Sequence, residues 1–163
     1  MEPLALLFHL NVGKSFWSDG SKRSGEGEKE NINSPKQEKE GNMLNLNSLL
    51  LFSETPKKLV DFYRQVLASE PKWVEGEYSG FEAGACALII GPHSKVHGQN
   101  KNPERIMFNF ETGDVKGEFE RIKGLGAKVI AQPYHMGDNQ DFLIATFADP
   151  EGNYFQLVSP MKR

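Results

Sequence analysis

The chain has 163 residues, a net charge of −3 from 19 basic and 22 acidic residues, and one cysteine, Cys86. That length suits one domain, or two small halves packed together. The acidic balance without a basic stripe excludes binding that relies on neutralising nucleic-acid phosphates, a lone cysteine excludes an internal disulfide or a thiolate metal cluster, and no apolar run approaches the ~18 residues of a membrane span.

Residues 1–43 read as an extension. Leu4 to Leu10 is apolar, but no basic segment precedes it and no small-residue cleavage site follows, so a secretory signal is not expected. Between Ser15 and Asn42 the only large apolar residues are Phe16, Trp17 and Ile32. Such a composition cannot offset the entropy of ordering, and the extension is expected to be disordered. The folded part is expected over 44–161, about 120 residues, enough for a core of its own.

The first half, 44–92, opens with a Leu-rich strand ending at Phe52. Thr55 as N-cap and Pro56 at the first helical position then start a helix. Leu59, Phe62, Tyr63, Val66 and Leu67 give it one apolar face. Short strands follow at Trp73–Glu77, Gly80–Ala83 and Ala85–Ile90, the last stopped by Gly91-Pro92. A polar linker, 93–103, leads to a second half, 104–160. There Ile106, Phe108 and Phe110 alternate as in a strand, and Val115, Phe119 and Ile122 mark a helix that ends near Gly126. Strands at Lys128–Ala131, Phe142–Phe147 and Tyr154–Val158 complete it.

The halves repeat one another. Glu54-Thr55, Phe62 and Arg64 match Glu111-Thr112, Phe119 and Arg121 at an offset of 57, and the closing strands match at 68, Gly84 against Gly152. The difference places an insertion of 11 residues around Tyr134–Asp141. The expected fold class is α+β: two tandem βαβββ modules built by internal duplication.

This layout, with Phe62-Tyr63-Arg64-Gln65-Val66-Leu67 and the turn Asp149-Pro150-Glu151-Gly152-Asn153, resembles the vicinal oxygen chelate superfamily. That superfamily includes glyoxalase I, extradiol dioxygenases, and bleomycin and fosfomycin resistance proteins. The resemblance implies that the modules form a curved mixed sheet with a concave ligand cleft, a homodimer, and a divalent metal held by strand residues of both halves. Carried over by motif spacing, the four ligand positions are Ser48, Leu88, Arg105 and Gln156. Leu88 has no lone pair, Arg105 is a permanent cation and Ser48 is a weak donor, so only Gln156 could coordinate. No metal and no other cofactor is expected.

Strand alternation places Arg105, Met107 and Asn109 toward the cleft, with Tyr154, Gln156 and Val158. In the first half the same reading gives Ser48, Leu50, Phe52, Cys86, Leu88 and Ile90. The expected ligand-binding set is Ser48, Trp73, Arg105, Met107, Asn109, Tyr154 and Gln156. Arg105 would grip an anionic group of the ligand, or pair with Glu77. Gln156 and Asn109 would orient a ligand, or satisfy one another. Trp73, Tyr78 and Phe81 would line the pocket mouth, or belong to the core. His93 and His97 are four apart in a linker without helical pattern, a poor context for a metal pair. Tyr63 and Arg64 are explained by helix packing and surface charge.

Two functional readings lead, with a purely structural or regulatory interaction module, which would have a collapsed cleft, as the third. One is a cytoplasmic protein that encloses a small organic molecule in a metal-free cleft. The other is a lyase or isomerase of glyoxalase-like type, or a dioxygenase-like enzyme with a divergent metal site; His135 is its general-base candidate by titration range, and Tyr154 stands beside it.

Overall fold

A computed structural model describes residues 46–137 and 139–161. The extension 1–43 lies outside the described residues.

Strand β1 (Ser48–Phe52), helix α1 (Pro56–Val66) and strands β2 (Trp73–Glu75), β3 (Tyr78–Ala83) and β4 (Cys86–Gly91) form the first module. After a 3-10 turn at Pro103–Arg105 come β5 (Phe108–Glu111), α2 (Val115–Gly124), β6 (Lys128–His135), β7 (Leu143–Ala148) and β8 (Tyr154–Val158). Each module carries its own four-stranded mixed sheet, ordered β1-β4-β3-β2 and β5-β8-β7-β6. The outer pair of each, β1 with β4 and β5 with β8, is parallel. No helix among the described residues is long and apolar enough to cross a membrane.

Local chemistry sets the helix ends. Pro56 occupies the first turn of α1, where its missing N–H costs nothing. Asp114 caps α2 by accepting the Gly117 N–H at 2.8 Å. Gly126, at φ +84°, turns the chain out of α2, and Ala68, at φ +48°, makes the same left-handed exit after α1.

The helices cover one face of the sheets, and a single core joins the modules. Leu59, Val60, Tyr63 and Val66 of α1 meet Leu88 and Ile90 of β4, and the cluster continues through Phe119, Ile122, Phe147, Phe155 and Leu157. Tyr63 is wholly buried, and its hydroxyl donates to Asp149 Oδ2 at 3.0 Å. Asp149 also accepts the side-chain amide of Asn153 and the backbone N–H groups of Glu151 and Asn153. From the same turn, Glu151 accepts the hydroxyls of Ser53 (2.7 Å) and Thr55 (3.3 Å). The Asp-Pro-Glu-Gly-Asn turn of the second module thus fastens it to α1 of the first, as does Arg121 of α2, whose guanidinium donates to the Gln65 and Val66 carbonyls.

The repeat is real, but its spacing differs from the sequence match. The residues preceding the helices, Thr55 and Asp114, are 59 apart. The same offset superposes the buried triplet Pro56, Val60, Tyr63 on Val115, Phe119, Ile122. In the closing strands the offset is 67, with core residues Leu88 and Ile90 matching Phe155 and Leu157. The extra length of the second module is divided between a longer β6, which carries two register shifts against β7, and the connection after it.

Candidate functional site

The face of each sheet turned away from the helices is defined by the ladders. In the first sheet Ser48, Leu50 and Phe52 share it with Ala87, Ile89 and Gly91, their partners across the β1–β4 ladder. The indole of Trp73 lies over Gly80 and the ring of Tyr78 over Gly91, where any β-carbon would collide with them. The Tyr78 hydroxyl is anchored on the Pro92 carbonyl at 3.0 Å. This face is apolar and aromatic.

The second sheet presents polar groups. Asn109 of β5 lies beside Gln156 of β8, which lies beside Thr146 of β7. Gln156 Nε2 donates to Thr146 Oγ1 at 3.0 Å. Thr146 is buried and Gln156 half-buried, whereas Asn109 is exposed and takes no side-chain bond among the described residues. Tyr154, opposite Ala148, and Tyr134, opposite Ile144, flank the row on the same face. The row offers a carboxamide, a hydroxyl and a free amide: neutral groups that can donate and accept but carry no charge.

Several expected site residues stand elsewhere. Leu88 and Ile90 face the helices in the core, with Cys86 on the same side, so the reading of these three as cleft residues is corrected. Ile89, opposite Leu50, takes the place assigned to Leu88. Arg105 belongs to the 3-10 turn rather than to a strand, because Pro103 starts that turn and β5 begins only at Phe108. Its side chain is exposed and makes no ion pair with Glu77 among the described residues. Met107 precedes β5 and is exposed. Ser48 starts β1, its hydroxyl donating to Asn47 Oδ1 at 3.1 Å.

His135 ends β6 opposite Leu143, which packs on the core, so it occupies the helix-side face and not that of Gln156. Of the two proton-transfer candidates only Tyr154 shares the face of Gln156. His93 and His97 do not converge: the His93 ring packs on Phe52, while His97 Nδ1 meets Glu54 Oε1 at 2.8 Å. Together with the Gly98 N–H, which is the larger influence, His97 holds the Glu54 carboxyl below its ordinary value. Thr146 was not expected; alternation along Leu143–Ala148 from the buried Phe147 would have found it.

The donor set does not match the metal that the fold family implies. The positions abreast on the two sheets, Leu50 with Ile89 and Asn109 with Gln156, supply two alkyl groups and two amides. Among the described residues no three His, Cys, Asp or Glu side chains are grouped to hold an ion.

A glyoxalase-like domain model matches residues 49–158. No curated protein matches the chain. Among solved structures, the chain is similar to a glyoxalase/bleomycin resistance protein/dioxygenase family enzyme from Burkholderia phytofirmans, at 19% identity and TM-score 0.59, covering 72% of this chain and 100% of that one. A glyoxalase/bleomycin resistance protein/dioxygenase from Nocardioides has 12% identity and TM-score 0.61, covering 75% and 87%. A genomically encoded fosfomycin resistance protein from Listeria monocytogenes has 16% identity and TM-score 0.52, covering 72% and 93%. At these identities the likeness is one of fold.

Proposed function

The chain belongs to the glyoxalase-like domain family, and from that membership we propose that it binds a small organic molecule on its open sheet face without a resident metal ion. The observation that carries this reading is the row Asn109–Gln156–Thr146 with Tyr154 beside it. Two alkyl groups and two amides stand at the positions where the family's metal ligands are typically His and Glu. Amides and hydroxyls fix orientation, and the aromatic groups around Trp73 and Tyr78 supply apolar contact. The ligand is accordingly a neutral, polar-edged organic molecule rather than an anion held by Arg105.

The reading includes a cytoplasmic homodimer. The homodimer is what the family resemblance favours. The single unpaired cysteine suits a reducing compartment.

Amide-resolved NMR with a set of neutral aromatic amides and lactams tests the binding. Saturable shifts should centre on Asn109, Thr146 and Gln156, and Gln156→Leu should weaken binding about tenfold, the loss of one well-placed hydrogen-bonding group. Shifts scattered away from this row, or affinity unchanged in Gln156→Leu, would contradict it.

A further inference from the structure

A cavity lies at the edge of the first sheet, apart from the Gln156 row. Its volume is about 570 Å³, within the range that takes a small ligand, and Leu49, Leu50, Leu51, Phe52, Ile106 and Phe108 form its apolar walls. Four consecutive residues of one strand can line a cavity only when it looks onto the strand's edge, since their side chains alternate between faces. Among the described residues β1 pairs with β4 alone, so this edge presents backbone N–H and C=O groups.

The remaining wall is a strap, 95–101, fastened at both ends. Glu54 holds His97 and accepts the Gly98 N–H at 2.7 Å. Asn100 bonds through its N–H to the Glu151 carbonyl at 2.7 Å and through its side chain to Asn153 at 3.0 Å. Lys95 and Lys101 of the strap both line the cavity, and neither has an acidic partner among the described residues. The acidic group in the lining, Glu151, already accepts the Ser53 and Thr55 hydroxyls.

We propose that this cavity binds a small amphipathic carboxylate, its hydrocarbon part against the apolar walls and its carboxylate between Lys95 and Lys101. Apolar walls and two cations with no acidic partner among the described residues complement a molecule with one apolar and one anionic end. A neutral hydrocarbon would leave the two lysines unanswered, and an ammonium compound would meet them with like charge. The site is independent of the Gln156 row, and either can fail without the other.

The probe is sodium octanoate titrated into the full chain and followed by amide-resolved NMR, with octylamine as the control of opposite charge. Octanoate should give saturable shifts at Leu49–Phe52, Ile106 and residues 95–101 while Thr146 and Gln156 stay still. The surface double variant Lys95→Gln, Lys101→Gln should bind it about tenfold more weakly, as loss of charge-assisted bonds requires. Absence of saturable shifts, equal binding of octylamine, undiminished affinity in the double variant, or shifts centred on Gln156 would each overturn the proposal.

Discussion

Replacing Phe155 with alanine is expected to destabilise the folded unit by about 4 kcal/mol, the cost of emptying a large aromatic site that cannot collapse. Phe155 is wholly buried, and its ring sits between 5.6 and 6.1 Å from the rings of Phe62, Tyr63, Phe108, Phe110 and Phe147. Those rings come from α1, β5 and β7, so the cavity would open where the two modules share their core. Phe155→Leu should cost less than half as much, because it keeps most of the volume. Urea unfolding gives the comparison, with Leu46→Ala, at an 82% exposed position, as the control. A loss below about 1 kcal/mol for Phe155→Ala would mean that the modules do not depend on a common core.

The second large effect concerns the turn that fastens the modules. Asp149→Ala should cost about 3 kcal/mol, since it strands the buried Tyr63 hydroxyl and half-buried donors on Glu151 and Asn153. The acid has a pH signature too. Burial raises the Asp149 carboxyl above its ordinary value, outweighing the opposing bonds from Asn153, Tyr63 and the Glu151 N–H. Between the unfolded value of about 3.9 and the raised folded value, the native state therefore holds more proton than the unfolded chain. Stability contributed by this group is present at the low-pH end of that window and declines as pH rises through it.

Asp149→Asn removes the titration, so the stability of the native chain minus that of the variant should fall across the window and stay level outside it. A difference that grows with pH there would show that the hydrogen bonds outweigh burial. Tyr63 titrates far from this window: burial, then the charge of Asp149, holds its phenol well above its ordinary value.

Much of this architecture was legible because its signals are local. Pro56 marks the helix start, Gly126 the helix exit and Gly152, at φ +80°, the tight turn before β8. The repeated order of elements was legible for the same reason. The phase of the repeat was not. Matching Phe62 to Phe119 by identity chose an offset of 57, but two residues turn a helix by about 200°, and Val60 is the residue that packs where Phe119 does.

The strands failed in a different way. An offset of 68 in place of 67 is a slip of one residue, which moves a side chain to the opposite face. Ala87-Leu88-Ile89-Ile90 is apolar throughout, so no alternation betrayed the slip, and Leu88 was placed in the cleft instead of the core. Where polar and apolar residues do alternate, as in Tyr154–Val158, the face of Gln156 was read correctly. Arg105 and His135 were misplaced by elements that periodicity does not report: a proline-led 3-10 turn in one case, and a strand running past its expected end into the inserted segment in the other.

The absence of a built metal centre on the open face is the claim on which the binding reading stands. Its most direct test is calorimetric titration of chelator-stripped protein with Mn²⁺, Ni²⁺ and Zn²⁺, alongside elemental analysis of the freshly purified chain. Weak, non-saturating heats and no stoichiometric metal are expected. One tightly bound ion per chain, displaced or weakened in Gln156→Leu, would contradict it.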